Sequence, residues 1–335
     1  MIDMKQIAKL AGVSVATVSK ALNNYHEVSD ETKAKIMKIV NELGYIQNSS
    51  ARALSTKRSN LIGIVFSEHL HIGLEHYFFS GVLESFKKEV ENHGYDVVFI
   101  NGRDIGYLKK CHVRGVDGVF VVTADIKDKE LADLFNADIP CVTTDTPWNQ
   151  IPLVYSDNVK GSIDAVKYLH GLNHTRIAHI AGPQTSISGR ERLKGFRLGM
   201  IEEDLSYDPE MIVYTDEFDS ASGYCAMQTL LAQPNPPTAV FVMCDLSAVG
   251  AIEAIRDAGL SVGNDISVMG FDDIQLAAHT VPSLTTLRQD RNSIGQTSAS
   301  ILIKLINKEE VLQVTKIPCE IIERESTKQK KEAVR

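Results

Sequence analysis

From Met4 to Ala11, apolar residues recur at helical spacing, and Ile7, Ala8, Leu10 and Ala11 are expected on one face. Gly12 ends that helix, because it accepts the left-handed backbone that a helix C-terminus needs. Ser14 can then cap a second helix, Val15–Leu22, with Val18, Ala21 and Leu22 turned to one side. A third periodic stretch starts around Ser29–Asp30 and offers Ile36, Ile39, Val40 and Leu43 to the other two. The pattern predicts an all-α, three-helix helix-turn-helix unit with one small shared core. After Asn60 the grammar changes. Strand-like runs at 61–66, 96–100, 116–122 and 139–143 are followed by others at 176–181, 239–243 and 266–271. Helical stretches lie between them at 77–93, 162–172, 190–203, 220–231 and 246–258. Such alternation predicts an α/β body of two doubly wound parallel-sheet subdomains with a cleft between them.

The expected division is 1–47 for the helical head, 48–60 for a linker and 61–335 for the body. Within the body, one subdomain takes 61–158 plus 289–315 and the other 159–288 plus 316–326. The segment 285–307 is expected to cross back to the first subdomain, with 316–323 as a last strand and 327–335 as a charged tail.

Composition changes this picture in one respect. The formal charge of −8 hides a division. Residues 1–60 carry nine Lys/Arg and five Asp/Glu, a net +4, and the remainder carries a net −12. A basic head on an acidic body is expected where only the head meets a polyanion. Five scattered cysteines, Cys111, Cys141, Cys225, Cys244 and Cys319, never form a Cys-x-x-Cys pair, which fits a reduced cytoplasmic setting without disulfides or structural zinc. The N-terminus lacks the pattern of a signal peptide, and no apolar run is long enough to span a membrane.

In a helix-turn-helix unit the second helix enters the DNA major groove with its N-terminal residues at the base edges. Val15 and Ala16 offer apolar contact to thymine methyl groups, and Lys20 a guanine or a phosphate contact. Ser14, Thr17, Ser19 and Asn23 have the size and chemistry to hold phosphates. In the body, open parallel sheets bind ligands at the carboxyl ends of their strands. That places Ser67, Asp145, Cys244, Asp245 and Asp272 at the cleft. Carboxylates there suit sugar hydroxyls, Arg192 adds a forked donor, Phe218 a face for stacking, and His71 or His69 a further donor. Asp245 and Asp157 read better as helix caps than as ligand contacts. Only one of Asp272 and Asp273, and only one of Arg190 and Arg192, is expected to face the cleft. No phosphate-binding loop or nucleophile elbow follows any strand, and the histidines at 69, 71 and 76 miss metal-binding spacings. No cofactor, metal or catalytic residue is assigned, and the chain is not read as an enzyme.

The run 5–23, Lys-Gln-Ile-Ala-Lys-Leu-Ala-Gly-Val-Ser-Val-Ala-Thr-Val-Ser-Lys-Ala-Leu-Asn, resembles the N-terminal signature of the lactose/galactose repressor family of bacterial transcription regulators. The likeness continues through Val28-Ser-Asp-Glu-Thr, Leu43-Gly-Tyr-Ile, Asn48 and Ala51-Arg-Ala-Leu, and then through 181–195, 265–273 and 282–290 of the body. It implies a periplasmic-binding-protein-like body, and a hinge that folds to a short helix when two chains share operator DNA. Asn48 and Ala51 belong to that hinge, and Leu54 matches the leucine that wedges into the minor groove. Gln47 stands where the family usually has proline. The effector positions carried over are Ser67, His71, Asp145, Arg192, Phe218, Cys244, Asp272 and Arg291. Cys244 replaces a common Asn. Arg291 replaces a residue that often stacks on the ligand, and it either favours an acidic ligand or pairs with a cleft carboxylate. The expected function is a repressor binding a pseudo-palindromic operator as a homodimer, controlled by a sugar, sugar acid or sugar phosphate. Tetramer-forming leucine heptads are missing. The alternatives are a sugar-binding protein without a DNA role, a sugar kinase with a DNA-binding head, and a catabolite regulator controlled by a protein corepressor.

Overall fold

A computed structural model describes residues 3–22, 26–45, 58–66, 74, 76–124, 127–206 and 208–330. The head consists of α1 (Met4–Ala11), α2 (Val15–Leu22) and α3 (Asp30–Leu43). Each start is fixed by a side chain. Asp3 and Gln6 form a reciprocal capping box, the Ser14 hydroxyl accepts from the Thr17 N–H at 3.0 Å, and Ser29 caps α3 through the Thr32 N–H. Gly12, at φ 70°, makes the left-handed turn out of α1. Ile7, Ala8, Ala11, Val18, Ala21, Val28, Ile36 and Val40 form the shared core. Leu10 is 60% exposed, contrary to the expected face. At 100° per residue the Ile7–Ala8–Ala11 stripe runs to one side of Ile7, and Leu10 falls on the other.

The body holds two six-stranded sheets. The first comprises β1 (Leu61–Phe66), β2 (Asp96–Ile100), β3 (Gly118–Thr123), β4 (Cys141–Thr143), β5 (Leu153–Ser156) and β11 (Val314–Ile317), in the order β11-β5-β4-β3-β1-β2, all parallel. The helices α4 (Tyr77–Asn92) and α11 (Arg291–Ile306) cover one face of it, and α5 (Tyr107–Arg114) and α6 (Lys129–Phe135) the other. The second sheet comprises β6 (Ile177–Ala181), β7 (Ile212–Tyr214), β8 (Ala239–Val242), β9 (Ser267–Asp272), β10 (Thr285–Gln289) and β12 (Cys319–Ile322), in the order β12-β10-β9-β8-β6-β7. Helices α7 (Asn158–Gly171) and α8 (Ile187–Glu202) cover one face, and α9 (Ser220–Leu231) and α10 (Asp245–Asp257) the other. Near-continuous apolar strands such as Ala-Val-Phe-Val in β8 are what a sheet buried on both faces requires.

Two boundaries and one strand direction differ from the expected ones. Thr285–Gln289 does not cross back; it is a strand beside β9, and the crossing falls at Asp290. The expected single last strand is two, β11 in the first sheet and β12 in the second, with Pro318 between them. β12 runs antiparallel to β10, so the second sheet is not wholly parallel. The chain thus passes between subdomains at Asp157, Asp290 and Pro318.

Candidate functional site

On the head, α2 buries Val18 and Ala21 and leaves Val15, Ala16 and Lys20 on the outside. Val15 is 39% exposed, which leaves its methyl groups open to apolar contact with base edges. Thr17 and Ser19 are half-buried, and the Lys20 ammonium is paired with Glu27. Asn23, Asn48, Ala51 and Leu54 lie outside the described residues, as do Ser67, His69 and His71 of the body.

A cavity of about 250 Å³ opens between the two sheets at the carboxyl ends of their strands. Asp145, Arg192, Phe218, Cys244 and Asp272 line it, so five of the expected effector residues come together there. Arg192, 4% exposed, organises the centre. Its Nε donates to Asn158 Oδ1 at 2.9 Å and its Nη1 to the Met243 carbonyl, while the guanidinium lies 3.7 Å above the Phe271 ring. Asp272 Oδ1 stands 3.6 Å from Nη1 and accepts from Gln289 Nε2 at 2.5 Å. Gln289 in turn accepts from Ser156 Oγ at 2.6 Å. Across the cavity, Asp145 accepts from Thr123 Oγ1 at 3.4 Å.

Burial outweighs the nearby Arg192 charge and pushes the carboxyls of Asp145 and Asp272 each up to about 6. Burial also pushes the Cys244 thiol up to about 12, so it remains neutral, 3.3 Å from Ser247 Oγ. Asp145 Oδ1, Asp272 Oδ2 and Arg192 Nη2 have no hydrogen-bond partner among the described residues. Two acceptors and a double donor therefore face a cavity whose other walls include the rings of Phe78, Phe79, Tyr155 and Phe218.

The backbone explains how two successive aspartates diverge. Asp272 (φ 121°) and Asp273 (φ 55°) both occupy the left-handed half of backbone space. Strain of this kind costs about 1–3 kcal/mol per residue and gathers at functional sites. It turns Asp272 into the cavity and Asp273 out to Arg288 and Arg324. Arg190 likewise turns away, to the carbonyls of Gln184 and Thr185, leaving Arg192 inside.

Two expectations need correction. Asp245 caps no helix. It is fully buried within the first turn of α10 and accepts from the Ile274 N–H at 2.9 Å and Thr286 Oγ1 at 2.5 Å, tying β10 to the loop after β9. Asp157 does cap its helix, through the Lys160 N–H. Arg291 does not line the inner cavity and pairs with no carboxylate among the described residues; it lies over the Tyr77 ring, 4.1 Å from its centroid. The sequence reading missed His76, Tyr77, Tyr155, Ser156, Asn158 and Gln289, which also line the cavity. Burial holds the His76 imidazole below its usual range, and its Nδ1 has no partner among the described residues. A signal for some of these was present. Ser156-Asp157-Asn158 and Gln289-Asp290-Arg291 each place a helix-capping aspartate directly after a strand, which marks a crossing point. The described residues hold no group of three or more His, Cys, Asp or Glu placed to bind a metal ion, and no helix long and apolar enough to cross a membrane.

Known proteins share this arrangement. The family model for bacterial regulatory proteins of the lacI family matches residues 3–48, and that for a periplasmic binding protein-like domain matches 166–327. The HTH-type transcriptional repressor PurR of Escherichia coli O139:H28 is 32% identical over 97% of both chains. The HTH-type transcriptional regulator CelR of Thermobifida fusca is 32% identical over 91% of this chain and 92% of the relative. Among solved structures, a lac repressor dimer bound to operator and the anti-inducer ONPF matches with a TM-score of 0.80 at 28% identity, covering 98% of this chain and 99% of the other. A CelR–cellobiose complex matches with a TM-score of 0.71 at 29% identity, covering 97% of this chain and all of the other (100%).

Proposed function

Because the chain belongs to the lacI family of bacterial regulatory proteins, we propose that it represses transcription as a homodimer on a pseudo-palindromic operator, and that a sugar or sugar derivative in the inter-subdomain cavity sets its grip on DNA. The observation that carries the effector half is the cavity's centre: oxygens on Asp145 and Asp272, beside Nη2 of Arg192, that have no partner among the described residues. A hydroxyl both donates and accepts, so a polyol satisfies these groups at once, while Phe218 and Tyr155 meet its apolar faces. The CelR–cellobiose complex supports a sugar as effector, and the operator-bound lac repressor dimer supports the DNA half.

On DNA, the two copies of α2 lie one helical turn apart, and Val15 and Ala16 read base edges while Ser14, Thr17, Ser19, Lys20 and Asn23 hold the backbone. The linker residues Asn48, Ala51 and Leu54 meet the minor groove between the half-sites. In this reading the protein works in the cytoplasm by binding alone; its relatives are transcriptional regulators.

The test is a gel shift of full-length protein on DNA from upstream of its own coding sequence, at rising salt, with a thermal-shift screen of neutral sugars, uronates and sugar phosphates. Binding that falls steeply with salt, and one ligand class that raises the melting temperature and changes the gel shift, are expected. Deleting residues 1–60 should abolish DNA binding and leave the ligand shift intact. No preference for that DNA over random competitor would overturn the repressor reading.

A further inference from the structure

The inner cavity has an outer neighbour of about 460 Å³, and Tyr77, Asp272, Ile274 and Gln289 stand in the walls of both. Three of these four are fixed by the second subdomain. Asp272 and Gln289 end β9 and β10 and are hydrogen-bonded to each other, and the Ile274 N–H is held by Asp245. Tyr77 is different. It is the first residue of α4, on the first subdomain, and is 37% exposed. What holds its side chain is Arg291, which donates from Nη2 to Tyr77 Oη at 3.1 Å and from Nη1 to the Tyr77 carbonyl at 3.3 Å, with its guanidinium over the ring. Its short-range contacts are with the tyrosine: Arg291 forms no ion pair with a described carboxylate, and its charge reaches Asp272 only at longer range. Gly81, one turn along α4, makes the seat: a Cβ there would meet Arg291 Cδ at 2.9 Å, so a side chain at 81 would force the arginine to shift.

We propose that Tyr77, pinned by Arg291, is a septum that limits the effector to a single sugar ring, and that Arg291 determines specificity through Tyr77 without touching the ligand. The inner cavity, about 250 Å³, lies below the roughly 300–1,000 Å³ of sites that enclose drug-sized ligands. Joined to its neighbour it falls well within that range. A two-ring ligand therefore has to displace Tyr77, losing the cation–π contact and both hydrogen bonds. This rests on the reading that the cavity binds a sugar.

The experiment is a thermal-shift and calorimetric comparison of full-length wild type, Arg291→Ala, Tyr77→Ala and Tyr77→Phe. The probes are common aldopentoses and aldohexoses, with cellobiose, lactose and maltose as two-ring partners. Wild type is expected to bind a monosaccharide at least thirtyfold more tightly than any of the disaccharides. Tyr77→Ala and Arg291→Ala should reduce that ratio to about threefold, whereas Tyr77→Phe, which keeps the ring under the guanidinium, should preserve most of it. A disaccharide bound by wild type as tightly as a monosaccharide, or a ratio unchanged in Tyr77→Ala, would overturn the septum while leaving the sugar reading intact. Absence of any saccharide shift in all four proteins would overturn the sugar reading, and the septum with it.

Discussion

Replacing Arg192 by Met keeps most of the stem that crosses Phe271 but removes the positive charge between two buried carboxyls. Asp145 and Asp272 are already raised by burial from 3.8 to about 6, and Arg192 is the largest influence holding them down. Without it both rise further. At pH 8 the variant must either bury uncompensated carboxylates or protonate them against the solvent pH, and breaking a buried pair in this way costs about 3–5 kcal/mol. At pH 5 both carboxyls are protonated in the folded variant. What remains is the loss of the hydrogen bonds to Asn158 and Met243, about 1 kcal/mol each. The sign follows from linkage. A carboxyl with a raised folded pKa binds its proton more tightly when folded, so its contribution to stability falls as pH rises from about 4 through the folded pKa and is flat above it. At about 2 °C per kcal/mol for a body of this size, the melting temperature of Arg192→Met should lie about 6–10 °C below wild type at pH 8 and about 4 °C below at pH 5. Differential scanning calorimetry across that range measures it. An equal deficit at both pH values would show that Arg192 does not compensate the two carboxyls.

The other predictions concern single, separable contacts. Ser14→Ala removes the cap of α2 and should cost the head about 1 kcal/mol, read as a lower melting temperature of the head and weaker binding to every DNA sequence. Lys20→Gln should reduce the slope of log affinity against log salt by about 1; its exposed pair with Glu27 is worth at most about 1 kcal/mol, so urea denaturation should change little. Burial and the neighbouring Asp272 charge raise the Asp245 carboxyl above its usual range and favour its neutral form. Asp245→Asn should therefore be tolerated within about 1 kcal/mol, whereas Asp245→Ala strands the Ile274 N–H and the Thr286 hydroxyl at about 1–3 kcal/mol each, measured by urea titration.

The head was legible almost to the residue because its helices are bounded by side chains that announce themselves: Ser14 and Ser29 as caps and Gly12 as a stop. Ser220–Leu231 was equally plain, lying behind the cap Asp219. In the body, the strands that escaped were those with weak local patterns. Leu153–Ser156 is four residues, all buried, directly after Pro152. Thr285–Gln289 is rich in polar side chains that are nonetheless buried, because Thr285 and Thr286 find partners in Thr327 and Asp245. No local period reveals a threonine whose partner lies some forty residues away. The candidate site divided in the same way. Carboxylates just past strand ends followed from the topology of open sheets, and Asp145 and Asp272 are in the cavity. Tyr77 and Tyr155 carry no such positional signal, and only the closing of one sheet against the other brings them to the ligand's place.

The crossings give the cavity its reach. Ser156 and Asn158 flank the first crossing, at Asp157, and Gln289 precedes the second, at Asp290, so the residues that would meet a ligand lie one position from the pivots between subdomains. The chain arriving from the head enters at Ser59 and Asn60, whose N–H groups donate to the two oxygens of Asp117 at 2.9 and 2.8 Å, while Arg58 donates to Asn307 Oδ1 at 2.8 Å. The root of the linker is thus fastened to the first subdomain. Rotation of that subdomain carries the linker root with it, and in a dimer two such rotations change the separation of the heads. A ligand need supply only the difference in its affinity for the two arrangements, typically about 1–3 kcal/mol, and the hydrogen bonds offered by Asp145, Asp272 and Arg192 are of that order when made in one arrangement and broken in the other.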